Sequence, residues 1–282
     1  AVPAAQVVAS GALLRKGVMV KDGSALERLA QVDYALFDKT GTLTLGHPRA
    51  VNLDRLDRTQ KQITLALAQA SRHPVSKGIR AALLALNIEP ACLDNIAENP
   101  GEGMTARWGE KTVTLGKPEQ SGDHLSCQLT VGQDILVIQL HDEIRPDART
   151  ALTLLQDMGA AASIISGDNI GSVSRVGTVL GLTAQAAASP QDKVEAIARL
   201  SADGHKVLMV GDGLNDGPAL AAAHVSIAPG SASDVGQQAA DAVFTSESLM
   251  PVALSVKVAR RTMEIVHQNF ALAIGYNIFA VP

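Results

Sequence analysis

Val32-Asp33-Tyr34-Ala35-Leu36-Phe37-Asp38-Lys39-Thr40-Gly41-Thr42-Leu43-Thr44 begins as an apolar run, reaches an acid and turns at once into glycine and threonine. The run predicts a buried strand, and Asp38 then stands at the C-terminal edge of a sheet. In open α/β sheets that edge is where ligands bind. Backbone amides and hydroxyls in the following turn suit a phosphate group. The position two residues past Asp38 is also informative. An enzyme that both makes and breaks an aspartyl phosphate wants a second carboxylate there as general acid/base; this chain has Thr40. Asp38 therefore reads as a nucleophile whose phosphoryl ester persists.

A second block repeats the pattern. Lys206-Val207-Leu208-Met209-Val210-Gly211-Asp212-Gly213-Leu214-Asn215-Asp216-Gly217-Pro218-Ala219-Leu220 is an apolar strand ending on Asp212, with another acid four residues on. Mg2+ takes oxygen ligands and keeps waters, so one or two carboxylates beside a phosphate suffice. Asp212 is expected to bind Mg2+ directly, with the Asp38 carboxylate and the Thr40 carbonyl. Asp216 and Asn215 are expected to hold waters or orient the site. The spacing is not that of a calcium loop.

Asp38–Thr44 resembles the phosphorylation signature of P-type ATPases, cation pumps built on a haloacid-dehalogenase-like core. Gly211–Leu220 resembles their hinge motif, with Gly217 where Ala is commoner. The resemblance implies an α/β fold, a doubly wound parallel sheet forming a phosphorylation domain with an inserted α+β nucleotide-binding domain. The expected boundaries are residues 32–46 and 139–247 for the first and 47–138 for the second. Residues 1–31 read as a membrane-helix end and connector, and 248–282 as a stalk helix and the start of a membrane helix. The implied catalytic set is Asp38, Lys39, Thr40, Ser166, Gly167, Asp168 and Lys193, with ATP and Mg2+ as cofactors. Ser166 stands where the family has Thr, and Lys193 pairs with the aspartyl phosphate.

Between the two blocks, helical runs from Gln62 to Ala70 and from Val75 to Leu86 precede short alternating segments, with a hairpin turn at Trp108–Lys111. His73-Pro74, Gly101 and Gly103 are weak signals singly. Together, after a phosphorylation motif, they resemble the nucleotide-binding domain of heavy-metal pumps. They would line the adenine pocket, with Glu98 and Gly116 nearby. Ala68 is a departure, since many such pumps carry Glu there.

From Asp142 the chain alternates strand and helix. A helix is expected to open at Asp142-Glu143-Ile144-Arg145-Pro146, with Pro146 in its first turn. A last helix, Leu249 to His267, carries Lys257, Arg260 and Arg261, which suit a cytosolic membrane surface. Tyr276-Asn277 resembles the copper(I)-transporting subgroup and marks a residue pair for the transported ion.

Composition sets limits. Hydrophobic residues make up 46% of the chain and aromatic residues 2%, so cores must be built from Ala, Val, Leu and Ile. A formal net charge of -4 gives no electrostatic case for nucleic-acid binding. Cys92 and Cys127 stand apart and read as small buried or half-buried thiols. The chain starts without Met or a signal peptide and ends on an apolar run too short to span a bilayer, so it reads as a piece of a longer protein. The expected whole is a copper(I)-exporting pump of the cell's inner membrane, with this part facing the cytosol. The lipid bilayer would be reached through missing membrane helices. The rivals are a zinc-type or other cation pump, a soluble haloacid-dehalogenase-like phosphatase and a nucleotide-sensing module without turnover.

Overall fold

The computed structural model describes residues 2–99, 102–118, 125–213 and 215–280. The chain divides into two units, one made of Ala1–Leu43 with Ile144–Pro282 and the other of Thr44–Glu143. The first unit starts with α1 (Val2–Leu14), β1 (Val18–Val20), α2 (Gly23–Ala30) and β2 (Tyr34–Phe37). The second holds β3 (Thr44–Ala50), α3 (Arg58–Ala70), α4 (Pro74–Ala85), β4 (Asp94–Asn99), β5 (Gly103–Trp108), β6 (Lys111–Gly116), β7 (Ser126–Val131) and β8 (Asp134–Ile144). The chain returns to the first unit with α5 (Ala148–Asp157), β9 (Ala161–Ile165), α6 (Ile170–Leu180), β10 (Thr183–Gln185) and α7 (Pro190–Ala202). It closes with β11 (Val207–Val210), α8 (Gly217–Ala222), β12 (Val225–Pro229), α9 (Asp234–Ala239), β13 (Ala242–Phe244) and α10 (Met250–Ala280).

The first unit is a seven-stranded sheet in the order β1-β13-β12-β11-β2-β9-β10. Its strands are parallel except for β1. Side chains alternate between faces along a strand, and that alternation builds two cores. Ala35, Phe37, Leu208 and Val210 pack with Leu26 and Leu29 of α2, Leu152 of α5 and Val256 of α10. Leu36, Val207 and Met209 pack on the other face with Ile197 of α7 and Leu220 of α8. Both faces are covered, as a parallel sheet requires. Apart from Phe37 and Phe244, the largest fully buried side chains are aliphatic.

The second unit is a six-stranded sheet in the order β3-β8-β7-β6-β5-β4, with antiparallel pairing from β8 through β4. The hairpin turn expected at Trp108–Lys111 is there, with those two residues paired. Ile63 and Leu67 of α3 and Ile79 and Leu83 of α4 pack against Val113, Leu129 and Ile138 of the sheet. Because β3 starts at Thr44 and β8 runs to Ile144, the units divide a few residues outside the span 47–138 read from sequence.

Two expectations need correction. No helix opens at Asp142: β8 continues to Ile144, and α5 begins only at Ala148. A residue before proline is pushed away from helical backbone, so Arg145-Pro146 delays the helix. Asp147 then caps α10 through Leu249 N at 3.0 Å and Met250 N at 2.9 Å. Of the basic residues of α10, Lys257 and Arg261 are exposed, Arg261 pairing with Glu264 at 2.9 Å, whereas Arg260 is half-buried and donates to the carbonyls of Val32 and Met158. The second correction concerns the cysteines: Cys127 is buried as expected, but Cys92, in the loop between α4 and β4, is exposed. Among the described residues no helix is long and apolar enough to cross a membrane.

Candidate functional site

β2 and β11 are parallel neighbours in register, Phe37 opposite Val210. The residues that follow them therefore leave the same sheet edge side by side, and Asp38 N donates to Val210 O at 2.8 Å. The chain places β9 on the other side of β2. Such a reversal opens a crevice at the strand ends. After Asp38 the backbone folds into a tight turn, Lys39–Leu43, in which Gly41 takes φ +70. That left-handed backbone favours glycine. A Cβ on Gly41 would lie 3.4 Å from Asp212 Oδ2, so the Asp212 carboxylate rests against this turn.

The charges here are buried. Lys193, on the first turn of α7, reaches Asp38 Oδ1 at 2.6 Å and Asp216 Oδ1 at 2.5 Å. Asp38, Lys193 and Asp216 are 6%, 4% and 1% exposed. Burial pushes the Asp38 carboxyl up to about 7; Lys193 opposes the rise and the Asp216 and Asp212 carboxylates add to it. Burial would lower the Lys193 ammonium, but the two carboxylates outweigh it and hold it above its ordinary range. Asp216, expected from sequence on the magnesium side, is thus bonded to Lys193. Two carboxylates share one buried ammonium, and the Asp212 carboxylate lies close enough to act on Asp38, so oxygen ligands of the kind a divalent cation takes are gathered here.

The other expected residues form a second knot. Lys39 Nζ meets Asp168 Oδ2 at 2.7 Å and donates to Ser172 Oγ at 2.8 Å. Thr40 Oγ1 donates to the same Asp168 oxygen at 2.7 Å, and Ser166 Oγ at 3.2 Å. Burial raises the Asp168 carboxyl, but these donors outweigh it and hold it below its ordinary range. Gly167 sits between, where a Cβ would come 3.2 Å from Ala188 O. Tyr276 lies on α10, 70% exposed. Asn277 continues that helix, its side chain outside the described residues, as is all of Gly101.

Arg145 escaped the sequence reading. Its buried guanidinium donates to Thr42 O at 2.7 Å and Gly41 O at 2.9 Å from one side, and to Glu247 O at 2.5 Å from the other. It also stands over the Phe244 ring at 5.4 Å. One side chain thus braces the turn after Asp38 against the segment that leads into α10. Its only sequence signal was a charged residue between an apolar strand and a proline.

In the second unit, a cavity of about 570 Å³ is lined by His73, Glu98, Gly103 and Gly116, four of the residues singled out from sequence. His73 caps α4, its Nδ1 accepting from Val75 N at 3.3 Å, and Pro74 opens that helix outside the lining. Gly103 has φ +121, and a Cβ there would meet Leu115 O at 2.3 Å. Ala68 is fully buried in the α3 core and is not in the wall. Burial pushes the thiol of Cys127, another wall residue, up to about 12.

The family model for haloacid dehalogenase-like hydrolases matches residues 32–224. The chain is 45% identical to the nitrogen fixation protein FixI of Rhizobium leguminosarum bv. viciae, over all of this chain and 38% of that protein. It is 32% identical to the probable copper-transporting ATPase SynA of Synechococcus sp., again over the whole chain and 38% of that protein. The chain therefore spans well under half the length of these relatives. A crystal structure of a zinc-transporting PIB-type ATPase in its E2.Pi state superposes with a TM-score of 0.84 at 31% identity, covering 99% of this chain and 50% of that one.

Proposed function

Because the chain belongs to the haloacid dehalogenase-like hydrolase family, we propose that it is the catalytic part of a heavy-metal P-type ATPase, with Asp38 as the residue that becomes phosphorylated. The observation that carries this reading is the buried Asp38–Lys193–Asp216 array beside the Asp212 carboxylate at one sheet edge. The cavity of the second unit holds ATP. An Asp38 carboxylate oxygen attacks the γ-phosphorus in line, the bond from that phosphorus to its bridging oxygen breaks, and ADP leaves. Lys193 offsets negative charge on the transferring group, and Asp216 holds the ammonium in place. Asp168 fixes Lys39 and Thr40, and so the turn in which the phosphoryl group is received. Ser166 orients Asp168.

The carboxylates of Asp38 and Asp212, with the Thr40 carbonyl, would hold Mg2+, which supplies charge neutralisation when bound. The domain reading follows. The first unit is the phosphorylation domain and the second the nucleotide-binding domain. The flanking segments, 1–31 and 248–282, lead to membrane helices in a pump of the inner membrane, with this part facing the cytosol. Copper(I) export is the favoured transport, supported by the copper-transporting name of the Synechococcus relative and by Tyr276-Asn277. A zinc pump is the second reading, favoured by the zinc-transporting structure at 31% identity.

The test is intact-mass analysis of the chain after Mg-ATP and an acid quench, beside Asp38→Asn. A phosphate-sized adduct, labile to hydroxylamine and absent in D38N, is expected. Rapid phosphate release from small esters without an adduct would replace the pump reading with a phosphatase. Metal-dependent ATPase activity of the intact pump with Cu(I) and with Zn(II) then separates the two ions.

A further inference from the structure

The nucleotide cavity has a wall that is mostly apolar, with Val75, Met104, Leu115 and Leu125 among its residues. Where Gly103 and Gly116 enter it, the wall is bare backbone. A Cβ on Gly116 would meet Glu102 O at 1.9 Å, and one on Gly103 would strike the Leu115 carbonyl. A flat ring can lie against such a surface. Two carboxylates join the wall among the described residues, Glu98 and Glu102. They are held differently. Ser71 is buried, and its hydroxyl accepts from His73 N at 3.2 Å while donating to Glu98 Oε1 at 3.2 Å. The Glu98 carboxylate is thereby oriented beside His73. Glu102 is fastened through its backbone, N to Asn99 O at 3.1 Å and O from Lys117 N at 3.2 Å.

An ionised carboxylate only accepts hydrogen bonds. A purine that brings an exocyclic amine to it is bound; one that brings a carbonyl to the same place sets two acceptors against each other and leaves both unpaired. We propose that Glu98 selects the base in this cavity, accepting from the amine of adenine and rejecting the carbonyl of guanine. The inference rests on the nucleotide reading of the same cavity and deepens it, since it names the group that makes the site an adenine site.

The test is titration calorimetry of the full chain with ATP and with GTP, in EDTA so that no turnover intervenes. Wild type is expected to hold ATP about tenfold more tightly than GTP, or better, the scale of one charge-assisted hydrogen bond. Glu98→Gln carries an amide that can turn either a donor or an acceptor toward the base. It is expected to gain GTP affinity and bring the ratio to within about threefold. Glu110→Gln, exposed in the β5–β6 turn and outside the wall, is expected to keep the wild-type ratio. A gain for GTP is not what a merely loosened cavity gives, and Glu98 is exposed on strand β4, so E98Q is expected to match the wild-type Tm. An unchanged ratio in E98Q, with both nucleotides still bound, overturns the role of Glu98 alone. Failure of the wild-type chain to bind either nucleotide overturns the nucleotide reading and this inference with it.

Discussion

The two units each place carboxylates at a site, but under opposite conditions. In the first unit Asp38 and Asp216 are buried and share one ammonium. In the second unit Glu98 is exposed on an edge strand and held by a single serine hydroxyl. Phosphoryl transfer needs charges fixed before the reaction, in a place where water does not screen them. Recognition of a base needs a shaped wall and one correctly placed acceptor. The first site stakes stability on its chemistry; the second barely touches stability.

Substitutions should expose that contrast. The largest effect is expected for Lys193→Met, which leaves two buried carboxylates without their partner. A loss of about 3–5 kcal/mol is expected near neutral pH, read from urea unfolding, and a smaller loss at pH 5, where the Asp38 carboxyl holds its proton. Metal-free wild type should itself lose stability as pH rises. Folding raises the Asp38 carboxyl from its ordinary value to about 7, so the native state holds the proton more tightly than the unfolded chain does. That contribution is complete below pH ~4 and disappears as pH climbs through about 7. Asp38→Asn should flatten this slope and gain on the order of 2–4 kcal/mol at pH 8 in EDTA; an unaltered slope would show that Lys193 holds Asp38 ionised throughout.

Arg145→Lys follows. An ammonium cannot reach the carbonyls of Gly41, Thr42 and Glu247 together, so a loss of about 2 kcal/mol is expected. Phosphoenzyme formation should slow while nucleotide affinity stays the same. An equal effect on both would contradict a local brace. The smallest effect is expected for Ser71→Ala, about 1 kcal/mol or less in stability, with weaker ATP binding. If Ser71→Ala destabilises as much as Lys193→Met, the contrast between the two units fails.

Asp38 and Asp212 were legible because each stands at the end of an apolar strand and is followed by glycines, a pattern written within a dozen residues. The capping box at Ser189-Pro190-Gln191-Asp192 fixes the start of α7, and with it the position of Lys193. Arg145 was not legible. Its acceptors Thr42 and Gly41 lie 103 and 104 residues away, and all are backbone carbonyls, which have no residue type to read. Asp216 was read into the site, to hold waters or orient it, but its lysine partner was not legible, for a related reason. Its spacing from Asp212 is equally good for a metal-side role, and only the packing of α7 on α8 sends Lys193 to it.

What the sequence determined by itself is the alternation of strand and helix and the acids at the strand ends. These depend on local periodicity and on turns that only glycine makes easily. The tertiary structure decided the partners. Burial made one lysine answer two carboxylates, placed an arginine under the turn after Asp38, and brought Ser71 and Glu98 to one wall from 27 residues apart. Pairing of this kind is settled by which elements pack together, because in a low-dielectric interior a charge takes whatever opposite group the fold delivers to it.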